Sequence, residues 1–403
     1  MHCYKSSSRC GSGCEHSYIG YDYGGQKMNL DEIRKQIDKV DEKLLNVYKE
    51  RKELVKKVAE YKIANSLPVL NQNREKEVCQ KLVKKFGEDM KQDIFSLYPV
   101  IMNVSKLQQS RQMRSMTIEE LLGIDQSTQN GFKKDSKVAV QGVEGAFSMT
   151  AAEEMFKQPQ IYYQKTFDDV FKAVFEGKAD YGVVPIENSN AGSVNEVYDL
   201  LLKHNLFIAK AKLQKIKHCL VGIKGAEKQD IKKVYSHPQA LYQCRKYLID
   251  NNMEPMNMIN TASAAEYISK CQDKQKAAIA SQKTANLYNL NIIEDNIQDE
   301  KHNYTRFIAI TKNNLKRKSA NKISLVVLLQ HRHGALFQLL NIIASYCVNM
   351  TKLESRPIPG SNFEFMFYFD IEGNINEKHI QELIFDIFEY SKKALYLGGY
   401  QEE

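Results

Sequence analysis

The sequence lacks several features that would place a protein directly in a class. No uninterrupted apolar run approaches the length needed to span a bilayer, and the N-terminal residues lack the basic-then-apolar layout of a secretory signal. We therefore expect a cytoplasmic protein without a membrane partner. The eight cysteines are scattered and match no zinc-binding spacing, so reduced thiols and no bound metal are expected.

The charge pattern also argues against one class of partner. The formal net charge is +8, but the lysines alternate with aspartate and glutamate along helical stretches instead of forming one basic stripe. Nucleic-acid binding usually requires such a stripe, so we expect no nucleic-acid partner. A mild positive field also suits small anionic substrates.

The composition changes along the chain and divides it into segments. A chain of 403 residues with 43% apolar residues can form several cores. We predict a disordered Gly/Ser/Tyr-rich tail over 1–27, an all-helical domain over 28–113 and a polar linker over 114–135. Alternating strands and helices then predict an α/β domain over 136–312, and a smaller unit follows over 321–400.

The helical segment carries polar side chains on otherwise apolar faces. Residues from Leu30 to Tyr61 repeat at spacings of three and four, and Arg51 interrupts the series. Ser105 and Gln109 similarly continue an apolar stripe of a later helix. A guanidinium on an apolar seam needs an anion, either in a buried salt bridge or in a ligand. The long first helix also presents more apolar seam than two short helices cover, which implies a partner chain.

With these features, the segment resembles the all-helical type of chorismate mutase, an intertwined dimer. The resemblance implies a substrate pocket without cofactor, built from Arg34, Arg51, Lys62, Arg74, Glu75, Ser105 and Gln109. In this interpretation the three arginines clamp the two carboxylates, with Arg34 reaching into the partner's site. Lys62 and Gln109 donate to the ether oxygen, and Glu75 holds the ring hydroxyl.

In the α/β segment, polar clusters occur where predicted strands end and helices begin. They are Gly142 to Gly145, Glu187 to Ser189, Ser236 to Gln239, and Asn303 to Arg306. Open α/β sheets bind ligands at such positions, so the clusters predict one cleft. The dinucleotide fingerprint Gly-x-Gly-x-x-Gly is absent, which disfavours a nicotinamide cofactor.

These motifs, in this order, closely resemble prephenate dehydratase, which implies two α/β lobes around a cleft without metal or nucleotide. The resemblance singles out Thr305 as donor or relay to the departing hydroxyl. Because a threonine hydroxyl is a weak acid, Glu187 is predicted to tune it or to supply the proton, if burial raises its pKa. Substrate contacts are predicted for Asn188, Ser189, Ser236, Gln239 and Asn303, and Arg306 is predicted to bind a carboxylate or to shape the cleft. His237 precedes Pro238 in a turn, where a capping role is favoured over a proton role.

The last unit is predicted to have the βαββαβ order of the ferredoxin-like plan. It resembles an ACT domain, a regulatory amino-acid sensor, of the phenylalanine-binding version found behind prephenate dehydratase. The motif residues are Gly334, Ala335, Leu336, Glu354, Ser355 and Arg356. The resemblance implies L-phenylalanine as a feedback inhibitor bound between paired subunits.

The sequence thus predicts a multidomain, bifunctional enzyme that carries chorismate through prephenate to phenylpyruvate, as a homodimer or homotetramer. Two alternatives remain open at this point. The chain could be a non-catalytic sensor of small acids, or its dehydratase substrate could be arogenate instead of prephenate.

Overall fold

The computed structural model describes residues 29–68, 72–125, 132, 134–358 and 365–403, with the side chains of 72–76 outside this description. The predicted tail over 1–27 therefore lies outside the described residues. The chain divides into two compact units, with the boundary in the sequence between Met113 and Arg114.

The first unit is helical, with α1 at Leu30–Ala64, α2 at Gln72–Phe86 and α3 at Lys91–Met113. A capping box starts α1: the Asn29 side chain accepts from the backbone of Asp31, and Glu32 accepts from the backbone of Asn29. This satisfies backbone donors that a helix leaves free at its N-terminus.

The long helix α1 buries little of its apolar stripe within one chain. Leu44 is 65% exposed and Leu54 is 62% exposed, and the other members of the stripe are exposed to a similar degree. The small core of the unit lies between α2 and α3, around Cys79, Val83 and Ile94. A contiguous exposed apolar stripe of this length usually marks an interaction surface.

The second unit contains all the strands in the described residues. Its first part comprises α4 (Ile118–Leu122), β1 (Lys137–Gln141), α5 (Phe147–Met155), β2 (Gln160–Gln164), α6 (Phe167–Phe175), β3 (Tyr181–Asn188), β4 (Gly192–Ser193), α7 (Asn195–His204) and β5 (Phe207–Lys215). The middle part comprises β6 (Cys219–Gly222), a 3-10 turn (Lys228–Asp230), β7 (Lys233–Ser236), α8 (Pro238–Gln243), α9 (Arg245–Asp250), β8 (Glu254–Asn257), α10 (Thr261–Cys271), β9 (Lys276–Ala280), α11 (Gln282–Leu287), β10 (Asn291–Glu294) and β11 (Tyr304–Thr311). The last part comprises β12 (Lys322–Leu328), α12 (Ala335–Ser345), β13 (Met350–Pro357), β14 (Phe365–Glu372), α13 (Lys378–Tyr390) and β15 (Lys393–Glu402).

Two α/β lobes form the first two parts of this unit. In the first lobe, strands are ordered β5-β11-β3-β1-β2, and in the second the five-stranded sheet is ordered β10-β6-β9-β7-β8. Each lobe has its own apolar core. The chain leaves the first lobe after β5 and returns to it as β11. Because these strands are neighbours in the sheet, two adjacent chain segments connect the lobes.

The segment predicted as a linker over 114–135 differs from that prediction in its first half. Thr117 starts α4 with a capping box, and Asp125 pairs with Leu315. The Asn314 side chain donates to the carbonyl of Leu122. These contacts make the segment part of the second unit. Although the segment is mostly polar, Thr117 caps a helix in it, and its apolar residues Ile118 and Leu122 are buried.

The C-terminal part has the predicted βαββαβ order, with strands arranged β13-β14-β12-β15. Its sheet is not separate, because β15 extends to Glu402 and pairs in parallel with β5. Ten strands of the described residues therefore form one sheet. At the junction, a Cβ on Gly398 would lie 2.3 Å from the carbonyl oxygen of Ile208, and its φ of +139° also favours glycine. In the part of the chain that the structure describes, no helix has the length and apolar character to cross a bilayer.

Candidate functional site

A cavity of about 500 Å³ lies between the two lobes of the second unit. This is within the size range of small-molecule sites. Its polar and aromatic lining includes Gln141, Gly142, Phe147, Asn188, Ser193 and Thr305 from the first lobe, and His218, His237, Gln239, Gln243, Asn260 and Thr261 from the second lobe and its connection. All four predicted clusters thus contribute at least one residue to this cleft.

The end of β3 fixes the orientation of Asn188. Its Oδ1 accepts from the backbone N–H groups of Asn190 (3.0 Å) and Ala191 (2.9 Å). Because backbone N–H groups only donate, the amide cannot be flipped, and Nδ2 must point the other way. The Asn-Ser-Asn sequence after a buried strand forms this turn because asparagine side chains readily bond nearby backbone groups.

The Asn188 amide then holds two side chains of β11 and its approach. Nδ2 donates to Thr305 Oγ1 (2.9 Å) and to Asn303 Oδ1 (2.8 Å). All three residues are buried, as expected for a fully bonded polar cluster. Because Thr305 Oγ1 accepts from Asn188, its own hydrogen is available to a ligand in the cavity.

The described side chains that line the cavity carry no fixed charge. Among the described residues that line it, none is Asp, Glu, Lys or Arg. The N-termini of α5 and α10 face this region through Phe147 and Thr261, and Asn260 caps α10. Helix N-termini carry partial positive charge and free N–H donors, which can hold carboxylates without a cation.

Glu187 and Arg306 are absent from this cavity, which corrects the proton role predicted for Glu187 and the substrate contact predicted for Arg306. Each is adjacent on its strand to a cavity residue, and successive side chains of a strand point to opposite faces. Glu187 pairs with Lys352 (3.0 Å). Arg306 pairs with Asp370 (2.7 Å) and Glu402 (2.8 Å) and donates to the Tyr400 hydroxyl (2.6 Å). Both therefore connect the first lobe to the C-terminal part.

Two residues that were predicted to bind substrate use their hydroxyls in hydrogen bonds within the fold instead. Ser189 Oγ donates to the carbonyl of His302 (3.1 Å) and accepts from the backbone of Tyr304 (3.0 Å). Ser236 is fully buried and donates to the carbonyl of Ile279 (2.8 Å). Neither lines the cavity, so their hydroxyls hold strand ends together. Gln239, by contrast, does line it.

The two histidines of the cavity differ in their bonding. His237 caps α8, since its Nδ1 accepts from the backbone of Gln239 (3.2 Å), which agrees with the favoured capping role. His218 is 2% exposed and bonds Gln243 Oε1 through Nε2 (2.8 Å). Burial lowers the pKa of both imidazoles, and the Gln243 bond partly offsets this for His218.

His218 and Gln243 were missed at the sequence level. His218 directly precedes β6 and lies outside the four clusters that were singled out. Gln243 follows Gln239 by four residues, so both lie on one face of α8, which a helical reading of that segment could have indicated.

In the first unit, the polar residues on the apolar faces of α1 and α3 contact each other. Arg51 Nη1 donates to Ser105 Oγ. Gln109 is 7% exposed and donates to the Ser105 carbonyl (3.3 Å). Its Oε1 is buried without a partner among the described residues. A guanidinium beside a buried unsatisfied amide is suited to a polar ligand.

The other predicted mutase residues are distributed around this pair. Burial lowers the pKa of the Lys62 ammonium. Arg34 is exposed on α1 and pairs with Asp31 (3.3 Å). The structure therefore does not bring Arg34 to the Arg51 site within one chain. The side chains of Arg74 and Glu75 lie outside the described residues.

The predicted effector residues lie at the start of α12 and along β13. Gly334 caps α12 with φ of +71°, followed by buried Ala335 and half-buried Leu336. On β13, Glu354 accepts from the cavity residue Ser193, while Arg356 donates to the carbonyl of Asn195 (2.6 Å). Ser355 points to the other, exposed face. The β13 motif therefore touches the dehydratase-like lobe directly.

Comparison with known proteins gives two family matches. Residues 138–315 match prephenate dehydratase, and residues 33–110 match chorismate mutase type II. The bifunctional chorismate mutase/prephenate dehydratase of Aquifex aeolicus is 32% identical over 92% of this chain and 97% of its own length. Arogenate dehydratase/prephenate dehydratase 1 of Arabidopsis thaliana is 36% identical over 66% of this chain and 72% of its own length.

Solved structures give similar likenesses. A prephenate dehydratase from Arthrobacter aurescens in complex with L-Phe covers 66% of this chain and 89% of its own, with 27% identity and a TM-score of 0.60. A quorum quenching acylase, GqqA, covers 66% of this chain and 98% of its own, with 30% identity and a TM-score of 0.61. Because similarity to the Aquifex protein extends over both units, the chain belongs to the bifunctional chorismate mutase/prephenate dehydratases, enzymes of aromatic amino acid biosynthesis.

Proposed function

We propose that the cavity between the two lobes is the dehydratase site and that Thr305 donates to the departing ring hydroxyl of prephenate. The observation that carries this assignment is the bond from Asn188 to Thr305, which leaves the threonine hydrogen free for a ligand. Asn188, Asn303 and Gln239 orient the substrate, directly or through this network. The uncharged lining and the helix N-termini hold the two carboxylates.

Prephenate is preferred over arogenate. The two differ on the side chain, where prephenate has a keto group and arogenate an ammonium. An ammonium entering a water-poor site requires an acidic partner, and the described lining has none. We expect kcat/KM for prephenate to exceed that for arogenate by about tenfold or more, the equivalent of about 1.4 kcal/mol. An equal or reversed ratio would contradict the preference.

The mutase site is centred on Arg51, Ser105 and Gln109 of the first unit. The rearrangement occurs within one molecule and needs positioning and electrostatic stabilisation only. Arg51 and Arg74 clamp the carboxylates, Lys62 and Gln109 donate to the ether oxygen, and Glu75 holds the ring hydroxyl. The exposed apolar stripe of α1 supports a homodimer in which Arg34 enters the partner's site, and pairing of dimers would give a homotetramer.

The C-terminal part is proposed to be an ACT domain that binds L-phenylalanine and inhibits the dehydratase. Its strand order and the L-Phe complex of the Arthrobacter protein support this. The effector would contact Gly334, Ala335 and Leu336 of one subunit and the Glu354 to Arg356 strand of another. Calorimetry should detect binding of L-phenylalanine but not of D-phenylalanine, the control. The dehydratase rate should fall when L-phenylalanine is added. No binding together with an unchanged rate would contradict this proposal.

The site assignments are tested by supplying chorismate and following prephenate and phenylpyruvate separately. Thr305→Ala should accumulate prephenate, while Thr305→Ser should retain turnover because the hydroxyl remains. Arg51→Ala should stop chorismate consumption but leave turnover of added prephenate unchanged. If Thr305→Ala converted prephenate at the normal rate, the cavity would not be the dehydratase site.

A further inference from the structure

The dehydratase reaction consumes one proton, and its source is not among the residues assigned so far. Prephenate is a dianion, and its products are the phenylpyruvate monoanion, carbon dioxide and water. The ring C–O bond breaks with its electron pair on oxygen, which takes up the proton. The C–C bond to the ring carboxylate also breaks, and its electron pair completes the aromatic ring.

The assigned residues do not supply this proton at neutral pH. A threonine hydroxyl is too weak an acid to lose a proton in each turnover. Glu187 pairs with Lys352 away from the cavity. Among the described lining residues, His218 and His237 are the side chains whose ordinary pKa lies nearest to neutral pH.

The direction of the hydrogen bonds identifies the protonated nitrogen of His218. Asn188 Nδ2 donates to Asn303 Oδ1, so Asn303 Nδ2 is free to donate to Gln243 Oε1 (3.1 Å). Gln243 Oε1 is therefore an acceptor, and the His218 Nε2 that lies 2.8 Å from it carries a hydrogen. In the neutral ring, Nδ1 then holds the lone pair.

His218 Nδ1 is the unused end of this chain of bonds. It is buried and has no hydrogen-bond partner among the described residues. The Nδ1 of His237, in contrast, already accepts from the α8 backbone. The His218 ring lines the cavity beside Phe147, at a centroid distance of 6.0 Å in an edge-on arrangement.

Resting on the proposed dehydratase site, we propose that His218 is a further catalytic residue, whose Nδ1 carries the proton that leaves with the ring hydroxyl as water. Gln243 is a positioning residue that keeps Nε2 of His218 protonated and so leaves Nδ1 for the proton transfer. Thr305 donates a hydrogen bond to the same departing oxygen. After the products leave, Nδ1 is neutral and regains its proton from solvent.

The surroundings of the ring favour this use. Burial disfavours the imidazolium and lowers the pKa of His218, so the charged ring readily gives up its proton. The causes of this shift include no charged side chain. The titratable neighbour in the chain, Cys219, has a pKa raised by burial and stays neutral at pH 7. A dianionic substrate is therefore the charge that stabilises the imidazolium during turnover.

The test uses His218→Gln in the intact protein, because glutamine keeps an N–H donor for Gln243 but cannot titrate. We expect kcat on prephenate to fall about 10²- to 10⁴-fold, with KM changed less than about threefold. The chorismate mutase rate should be unchanged and reports folding of the preparation. His204→Gln is the matched control, because His204 is also bonded through Nε2, to Asp168 (3.0 Å), but does not line the cavity, and it should retain kcat.

A second measurement does not depend on the first variant being folded. In the wild-type protein kcat/KM should fall tenfold per pH unit above the pKa of His218, and Gln243→Glu should move this limb to higher pH because a carboxylate stabilises the imidazolium. The inference is overturned if His218→Gln keeps kcat and the pH profile, or if the limb does not move in Gln243→Glu. If Thr305→Ala lost dehydratase activity but His218→Gln kept it, only the catalytic role of His218 would be refuted. Activity kept in both would refute the cavity itself.

Discussion

Replacing Arg306 by methionine separates two incompatible roles for this residue. A substrate-binding arginine would mainly determine KM, whereas the structure buries its guanidinium among Asp370, Glu402 and the Tyr400 hydroxyl. Arg306 is 8% exposed and Asp370 is 5% exposed. Removing one partner of such a buried pair leaves the other charge uncompensated, which typically costs about 3–5 kcal/mol.

The magnitude follows from the charges that remain. The cluster also contains Lys322 beside Glu402, and Lys352 beside Glu187, so Arg306 is the cation that Asp370 depends on. We expect Arg306→Met to lower the urea midpoint of the second unit by about 1–2 M, taking a slope of about 2–3 kcal/mol per M. Asp370→Asn combined with Arg306→Met should cost less than the sum of both, since they remove one interaction.

The assay is urea unfolding of the intact protein, followed by the near-ultraviolet circular dichroism of its 22 tyrosines and by dehydratase activity. Lys178→Met is the matched control, because the Lys178–Glu176 pair is exposed to solvent and should contribute little to stability. At temperatures where Arg306→Met is folded, KM for prephenate should be nearly unchanged. A variant with wild-type stability and a KM raised tenfold would refute this reasoning.

Three further predictions concern other parts of the chain. Gly398→Ala should destabilise the second unit by about 3 kcal/mol in thermal or urea unfolding, because its Cβ would collide with the Ile208 carbonyl and φ is positive, and a wild-type midpoint would contradict this. Asn188→Asp should lower the dehydratase kcat about 100-fold with the mutase rate intact, since a carboxylate cannot donate to Thr305; unchanged kcat would remove the network from the mechanism. The mutase rate should fall as the pH rises past the pKa of Lys62, because the charged form of this side chain is required, and burial lowers that pKa below the value of an ordinary lysine. Lys62→Gln should abolish this fall in rate, and a fall that persists in the variant would exclude Lys62 as its source.

The order of secondary-structure elements was largely predictable, because apolar periodicity and turn residues are local signals. So was the meeting of Asn188, Asn303 and Thr305, since strand ends of one sheet edge lie close together. Strand alternation, applied to the adjacent pairs, would also have separated Glu187 from Asn188 and Arg306 from Thr305. The resemblance to the family motifs instead assigned both members of each pair to the same site.

Other features depend on contacts that no local signal contains. The pairing of β15 with β5 joins residues about 190 positions apart, and the sequence marks it only through Gly398. His218 becomes notable only when Gln243 and Asn303 lie beside it. Long-range polar partners of this kind are set by tertiary structure and not by propensity.

The absence of charged side chains from the described cavity lining also bears on how the enzyme completes a turnover. The reaction converts a dianion into a monoanion and an uncharged gas, so in the proposed site the attraction between the helix N-termini and the bound molecule weakens as chemistry proceeds. A site with fixed arginines would retain a carboxylate product more strongly, and product release limits many enzymes. Dipoles without full charges thus favour clearance of phenylpyruvate and reduce inhibition by the accumulating product.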